Sequence, residues 1–166
     1  MKVVVVVGNP QAGSRTARAA AMVARRLTGS DPSAVVELAD LGPRLLTWGD
    51  PQVEAAKEIV KSADLVVFAS PTFKATYSGL LKVFLDHFAA GEMAATPAVA
   101  LMLGASPRHA LAGELSLKPL LSEIGCSCPA PALFLLETAW TDSPELEAWL
   151  DRAALAHRIP PLPGQA

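Results

Sequence analysis

Cysteine is scarce: Cys126 and Cys128 are the only two in 166 residues. A pair separated by one residue fits neither a two-plus-two zinc knuckle nor a CxxC redox motif, and no His-rich set accompanies it. No metal site is expected, and both residues read as reduced, packed thiols. Long apolar runs are missing as well, since nothing approaches the roughly 18 residues that cross a bilayer. The opening Val3 to Val7 run is far shorter than a signal-peptide core, so no membrane association and a cytoplasmic location are expected. Nor does charge of one sign dominate: 14 Lys and Arg against 16 Asp and Glu leave a formal net charge of -2. That balance supplies neither the basic field of a nucleic-acid binder nor the dense acidic surface of a small electron shuttle. What is plentiful is apolar material, 51% of residues, with 18% charged and a mean hydropathy of +0.34. This is enough for one buried core. A single domain over residues 1–158 is expected, followed by a proline-rich tail over 159–166.

Apolar periodicity alternates between two signatures along the chain. Continuous runs at Val3 to Val7, Ala34 to Leu38, Leu65 to Ala69, Ala98 to Leu103 and Ala132 to Leu136 read as strands buried on both faces. Between and after them, helical spacing appears at Ser14 to Leu27, closed by Gly29, then at Pro51 to Lys61, Ser78 to about Phe88, His109 to Ile124 and Ser143 to His157. The Asp40 to Asp50 stretch, with Gly42, Pro43 and Gly49, reads as a loop. Strand and helix alternating five times with short connections force a parallel, doubly wound α/β sheet with helices on both faces. Ligands of such sheets bind beyond the carboxyl ends of the strands, where the order switches.

Three loops therefore carry the chemistry. The first, Gly8-Asn9-Pro10-Gln11-Ala12-Gly13-Ser14-Arg15-Thr16, runs from a strand into a helix. It combines free N–H groups, a helix dipole, two hydroxyls and a guanidinium, which suit a phosphate monoester. An ordinary turn with a serine cap has the same outline, but does not require hydroxyl, Arg and hydroxyl in succession. Ser14 stands where a Walker A loop needs Lys, and Arg15 where it needs the magnesium-binding hydroxyl, so ATP hydrolysis is not expected; GxGxxG is absent too. The second loop, Ser70-Pro71-Thr72-Phe73-Lys74-Ala75-Thr76-Tyr77-Ser78-Gly79, offers two aromatics, hydroxyls and a Lys to a flat heterocycle. Its competing reading makes Phe73 and Tyr77 plugs of the core or of a subunit contact. The third, Gly104-Ala105-Ser106-Pro107, is small enough for a ring to lie against backbone N–H groups.

Gly8-Asn9-Pro10 with Ser14-Arg15-Thr16, followed by the run Ser70 to Lys82 and Asp86, resembles the NAD(P)H-dependent FMN reductase family, most closely its sulfonate-assimilation branch. The resemblance implies a flavodoxin-like sheet of order 2-1-3-4-5. It implies FMN as cofactor, with Asn9, Ser14, Arg15 and Thr16 on the phosphate. Pro71, Thr72, Phe73 and Lys74 would border the isoalloxazine, and Gly104, Ala105 and Ser106 would meet its polar edge. Three residues depart from the family pattern: Asn9 replaces the commoner Ser, Phe73 a frequent Tyr and Ala105 a frequent Gly. Leu115 aligns with an aromatic or His inserted in a π-bulge at the subunit interface of that branch. Pro119 has no N–H for the Leu115 carbonyl, so local physics alone also predicts a kink or bulge there.

The activity implied is hydride transfer from NAD(P)H to N5 of FMN, with reduced flavin supplied to a partner flavin-dependent monooxygenase by a homodimer or homotetramer. The flavin ring does the redox chemistry, so no side chain is named as a catalytic acid or base. The alternatives are a flavodoxin-like FMN-binding electron-transfer protein and a quinone- or azo-reducing enzyme with tightly bound FMN. His87, His109 and His157 are scattered and read as surface or capping residues. Lys82 and Asp86, four apart, can pair across a helix surface.

Overall fold

A strand built only of valine has no face to offer water, and Val3–Val7 is buried at every position. The computed structural model describes residues 1–94 and 96–158. Its strands are β1 (Val3–Val7), β2 (Ala34–Glu37), β3 (Leu65–Pro71), β4 (Ala98–Gly104) and β5 (Leu133–Leu136), ordered β2-β1-β3-β4-β5. All four pairings are parallel. The order and direction are those expected.

Alternation along β1 splits the core in two. Val4 and Val6 face one apolar cluster with Val60 of α3 (Pro51–Lys61), Phe84 of α4 (Gly79–Asp86) and Leu121 of α5 (Lys118–Glu123). Val3, Val5 and Val7 face the other, with Val23 of α1 (Arg15–Thr28) and Trp149 of α6 (Pro144–Ala156). Helices thus cover both faces of the sheet. Capping follows the sequence: Ser14 accepts the Ala17 N–H at the start of α1, and Gly29, at φ 75°, closes it by donating to the Arg25 carbonyl. Asp50 accepts the N–H groups of Gln52 and Val53 ahead of Pro51. Lys82 and Asp86 do pair, at 2.5 Å.

Two segments differ from expectation. Residues 38–46 form a one-turn helix, α2 (Leu38–Leu41), and a 3-10 turn (Gly42–Leu46) instead of an irregular loop. Leu38 and Leu45 drive this, since both are buried in the core, and each turn is too short to show a period. The long helix expected over 109–124 is broken into a 3-10 turn (Pro107–His109), a π-helix (Gly113–Leu117) and α5. The bulge foreseen at Leu115 is therefore present: the Lys118 N–H reaches five residues back to the Gly113 carbonyl. The expected tail, 159–166, lies outside the described residues.

Burial pushes the Cys126 thiol up to about 12 and Cys128 to about 11, so neither forms thiolate at neutral pH. His87 and His157 sit at the C-caps of α4 and α6. His87 is buried against Trp48, with ring centroids 4.5 Å apart, and so is not a surface residue. Among the described residues no helix is long and apolar enough to cross a membrane.

Gly8 ends β1 under α4, where an added Cβ would meet the Leu81 Cβ at 2.6 Å. Gly8→Ala is expected to destabilise the protein by about 1–3 kcal/mol through overpacking, read as a lower urea midpoint. An unchanged midpoint would contradict this packing.

Candidate functional site

The loops after β1, β3 and β4 meet at the carboxyl edge of the sheet, and α1 points its N-terminus into the same region. In the first loop, the Asn9 amide donates to Thr16 Oγ1 at 3.0 Å while its Oδ1 accepts the Gln11 N–H at 2.9 Å. Asn9 thus braces the loop. Ser14 and Thr16 are buried, whereas Arg15 is exposed. The Arg15 guanidinium pairs with Glu137 at 3.0 Å. Gly13, at φ 63°, donates its N–H to both Glu37 oxygens, at 3.2 and 3.0 Å.

The second loop is a small hairpin. Phe73 and Thr76 exchange backbone hydrogen bonds of 2.9 and 3.2 Å, with Lys74 (φ 51°) and Ala75 (φ 67°) between them. Two successive left-handed residues describe a type I′ turn, usually made with Asn-Gly. Without glycine, each left-handed residue costs on the order of 1 kcal/mol. Thr76 Oγ1 is tied to Ser116 Oγ of the π-helix at 3.0 Å. At the base of the hairpin the Thr72 N–H donates to the Leu103 carbonyl at 2.6 Å, but Thr72 Oγ1 is buried without a partner among the described residues.

Gly104 closes the third side. An added Cβ there would lie 2.8 Å from the Phe134 ring and 3.1 Å from Thr72 Oγ1, so only glycine lets these loops approach. The Gly104 carbonyl accepts the Glu137 N–H at 3.1 Å. Ser106 caps the 3-10 turn and Ala105 is exposed.

The first two loops, with Leu103 of β4 and Glu137 beyond β5, line a cleft of about 210 Å³. Asn9, Gln11, Ser14, Arg15 and Thr16 of the first loop line it together with Pro71, Phe73 and Leu103, and Glu137, paired with the Arg15 guanidinium, completes the wall. Phe73 is 48% exposed, so it plugs no core. Thr72, Lys74, Gly104, Ala105 and Ser106 are not among the wall residues. Glu37 and Glu137 were not foreseen from the sequence; the available signal was that each stands at the carboxyl end of a strand run. A neighbouring apolar cavity of about 250 Å³, between Pro107, Phe134 and Leu136, has Ser143 and Glu145 as its polar walls and offers no cation to an anion.

Comparison with known proteins settles the family. A family model described as NADPH-dependent FMN reductase matches residues 1–141. The chain belongs to this family. Membership in the FMN reductases makes it an oxidoreductase that works with FMN and a reduced nicotinamide. The "NADH-dependent FMN reductase SfnF" of Pseudomonas fluorescens is 33% identical over 129 residues, covering 74% of this chain and 69% of that protein. The "FMN reductase (NADPH)" of Pseudomonas aeruginosa is 35% identical over 128 residues, covering 73% and 69%. Among solved structures, the apo form of NADH:FMN oxidoreductase (EMOB) superposes with a TM-score of 0.81 at 26% identity, over 98% of this chain and 91% of that one. The family and the flavodoxin-like sheet expected from the motifs are those found.

The unpartnered Thr72 hydroxyl gives a test of the geometry that needs no ligand. Thr72→Val keeps the shape and removes a buried oxygen that bonds to nothing. The unliganded variant is expected to be as stable as the parent or about 1 kcal/mol more so by urea unfolding. A clear loss of stability would mean that the hydroxyl has a partner.

Proposed function

We propose that FMN binds at the cleft with its phosphate at the start of α1 and its ring reaching beyond the cleft walls, so that Pro71, Thr72, Phe73 and Lys74 border the isoalloxazine and Gly104, Ala105 and Ser106 meet its polar edge. The observation that carries this reading is that one cleft is lined both by groups that seek an anion and by apolar surface. Ser14 and Thr16 offer hydroxyls, Arg15 a guanidinium and the first turn of α1 its N–H groups, while Pro71 and Phe73 offer apolar surface. Thr72 supports it too, as a buried donor still lacking an acceptor. Asn9 acts by holding Thr16 in place.

When bound, FMN supplies the redox chemistry, taking hydride from NADH or NADPH. The chain orients the ring, clamps the phosphate and leaves the exposed Phe73 side open for the nicotinamide. No side chain has to move a proton, because the flavin ring carries the redox chemistry. Reduced flavin released from this cleft suits a flavin-dependent monooxygenase as the consuming partner. Residues 1–158 form the flavin domain on this reading, with 159–166 as an appended tail. Free thiols and nicotinamide chemistry fit a cytoplasmic setting. The chain works as a homodimer or homotetramer, for which Leu111 and Leu115, 65% and 72% exposed beside and within the π-helix, supply apolar contact surface.

Purified protein is expected to consume NADH or NADPH in the presence of free FMN, followed by nicotinamide absorbance; no turnover with either would overturn the assignment. Arg15→Ala should weaken FMN by about ten- to a hundredfold, the worth of a charge-assisted hydrogen bond, and leave riboflavin nearly unaffected in a fluorescence titration. Light scattering at micromolar concentration should give a dimer or tetramer, and a monomer would remove the assembly.

A further inference from the structure

The groups best suited to a phosphate are already engaged by carboxylates of the chain itself. Arg15 Nη2 lies 3.0 Å from Glu137 Oε2, and the Gly13 N–H donates to Glu37 at 3.0 and 3.2 Å. The two acids approach from opposite flanks, one ending β2 and the other following β5. They are not equivalent, because Glu137 lines the cleft with Ser14 and Phe73 and Glu37 does not. The main chain of Glu137 is held by its N–H bonded to the Gly104 carbonyl at 3.1 Å, which keeps its carboxylate within reach of Arg15. An incoming phosphate dianion therefore meets a negative charge within ion-pair distance of the guanidinium it needs.

We infer that Glu137 is an internal competitor for the flavin phosphate, one that sets FMN affinity low enough for the flavin to exchange as a dissociable substrate. The inference rests on reading the first loop as the phosphate site. Two consequences of the geometry favour competition over a supporting role. Arg15 is 53% exposed, and an ion pair so open to water is too weak to orient a side chain. Repulsion between phosphate and carboxylate inside the cleft is less screened than that bond, because protein replaces water on one side of both anions. Glu137 thus subtracts more by its charge than it adds by holding Arg15, and it acts on the phosphate end alone. Riboflavin, lacking the phosphate, is blind to it.

The test titrates FMN and riboflavin into the full-length protein and into the Glu137→Gln and Glu137→Ala variants, reading flavin fluorescence at low salt. FMN is expected to bind about three- to tenfold more tightly in both variants, with slower release in stopped flow, while riboflavin stays within about twofold. The gain should shrink at about 0.5 M salt as screening sets in. Thermal melts of both variants establish that they fold. Unchanged or weaker FMN binding in folded Glu137→Gln overturns the inference. Arg15→Ala run alongside separates the two levels of argument. A loss selective for FMN leaves the phosphate site standing whatever Glu137 does, whereas equal losses of FMN and riboflavin bring down that site and this inference with it.

Discussion

One buried serine holds the cleft together. Ser78 is 2% exposed, and all its hydrogen-bonding groups are used. Its hydroxyl donates to the Gly8 carbonyl and accepts the Leu81 N–H, while its own N–H goes to Ser70 Oγ. The end of β1, the end of β3 and the start of α4 are thereby joined at one point. A buried polar network with every member satisfied is stiff, and the same network with one member missing is costly. Because Ser78 holds α4 this close, Leu81 leaves Gly8 no room for a side chain, and the first loop leaves β1 in a single direction. The position of Ser14 and Arg15 follows from that direction.

Around this rigid joint the cleft breaks the rules that the rest of the chain obeys. Lys74 and Ala75 adopt a backbone that favours glycine, and Thr72 buries a hydroxyl with no partner. Both lie in the second loop, within a few residues of Ser78. Folding alone gains nothing from either. Departures of this kind concentrate where a protein prepares for a ligand, and here they lie beside the apolar wall of Pro71 and Phe73.

How much was legible in the sequence depends on the kind of signal each element carries. The all-valine strand, the Pro51 helix start and the Ser14, Ser78 and Gly29 caps are local in origin, and the structure has them where the sequence places them. The π-helix was legible as a bulge because the missing N–H of Pro119 is itself a local fact. By contrast, α2 and the 3-10 turn after it were hidden because single turns have no period, and only burial of Leu38 and Leu45 in the core selects them. Of the candidate site, the Ser-Arg-Thr run and the walls of Pro71 and Phe73 could be read from residue types. Glu37 and Glu137 could not, since their partners are 24 residues away for Gly13 and on a different strand edge for Arg15. Nothing in local composition announces a contact made by topology.

The wide turn at Gly113–Leu117 holds one residue more than an ordinary helical turn. Each residue advances a helix by about 100°, so everything after the insertion is re-phased by that angle. Leu117 and Leu121, both wholly buried, take their present facing from the extra residue. Excising a single codon would swing them toward solvent and could not be tolerated without rewriting the pattern downstream.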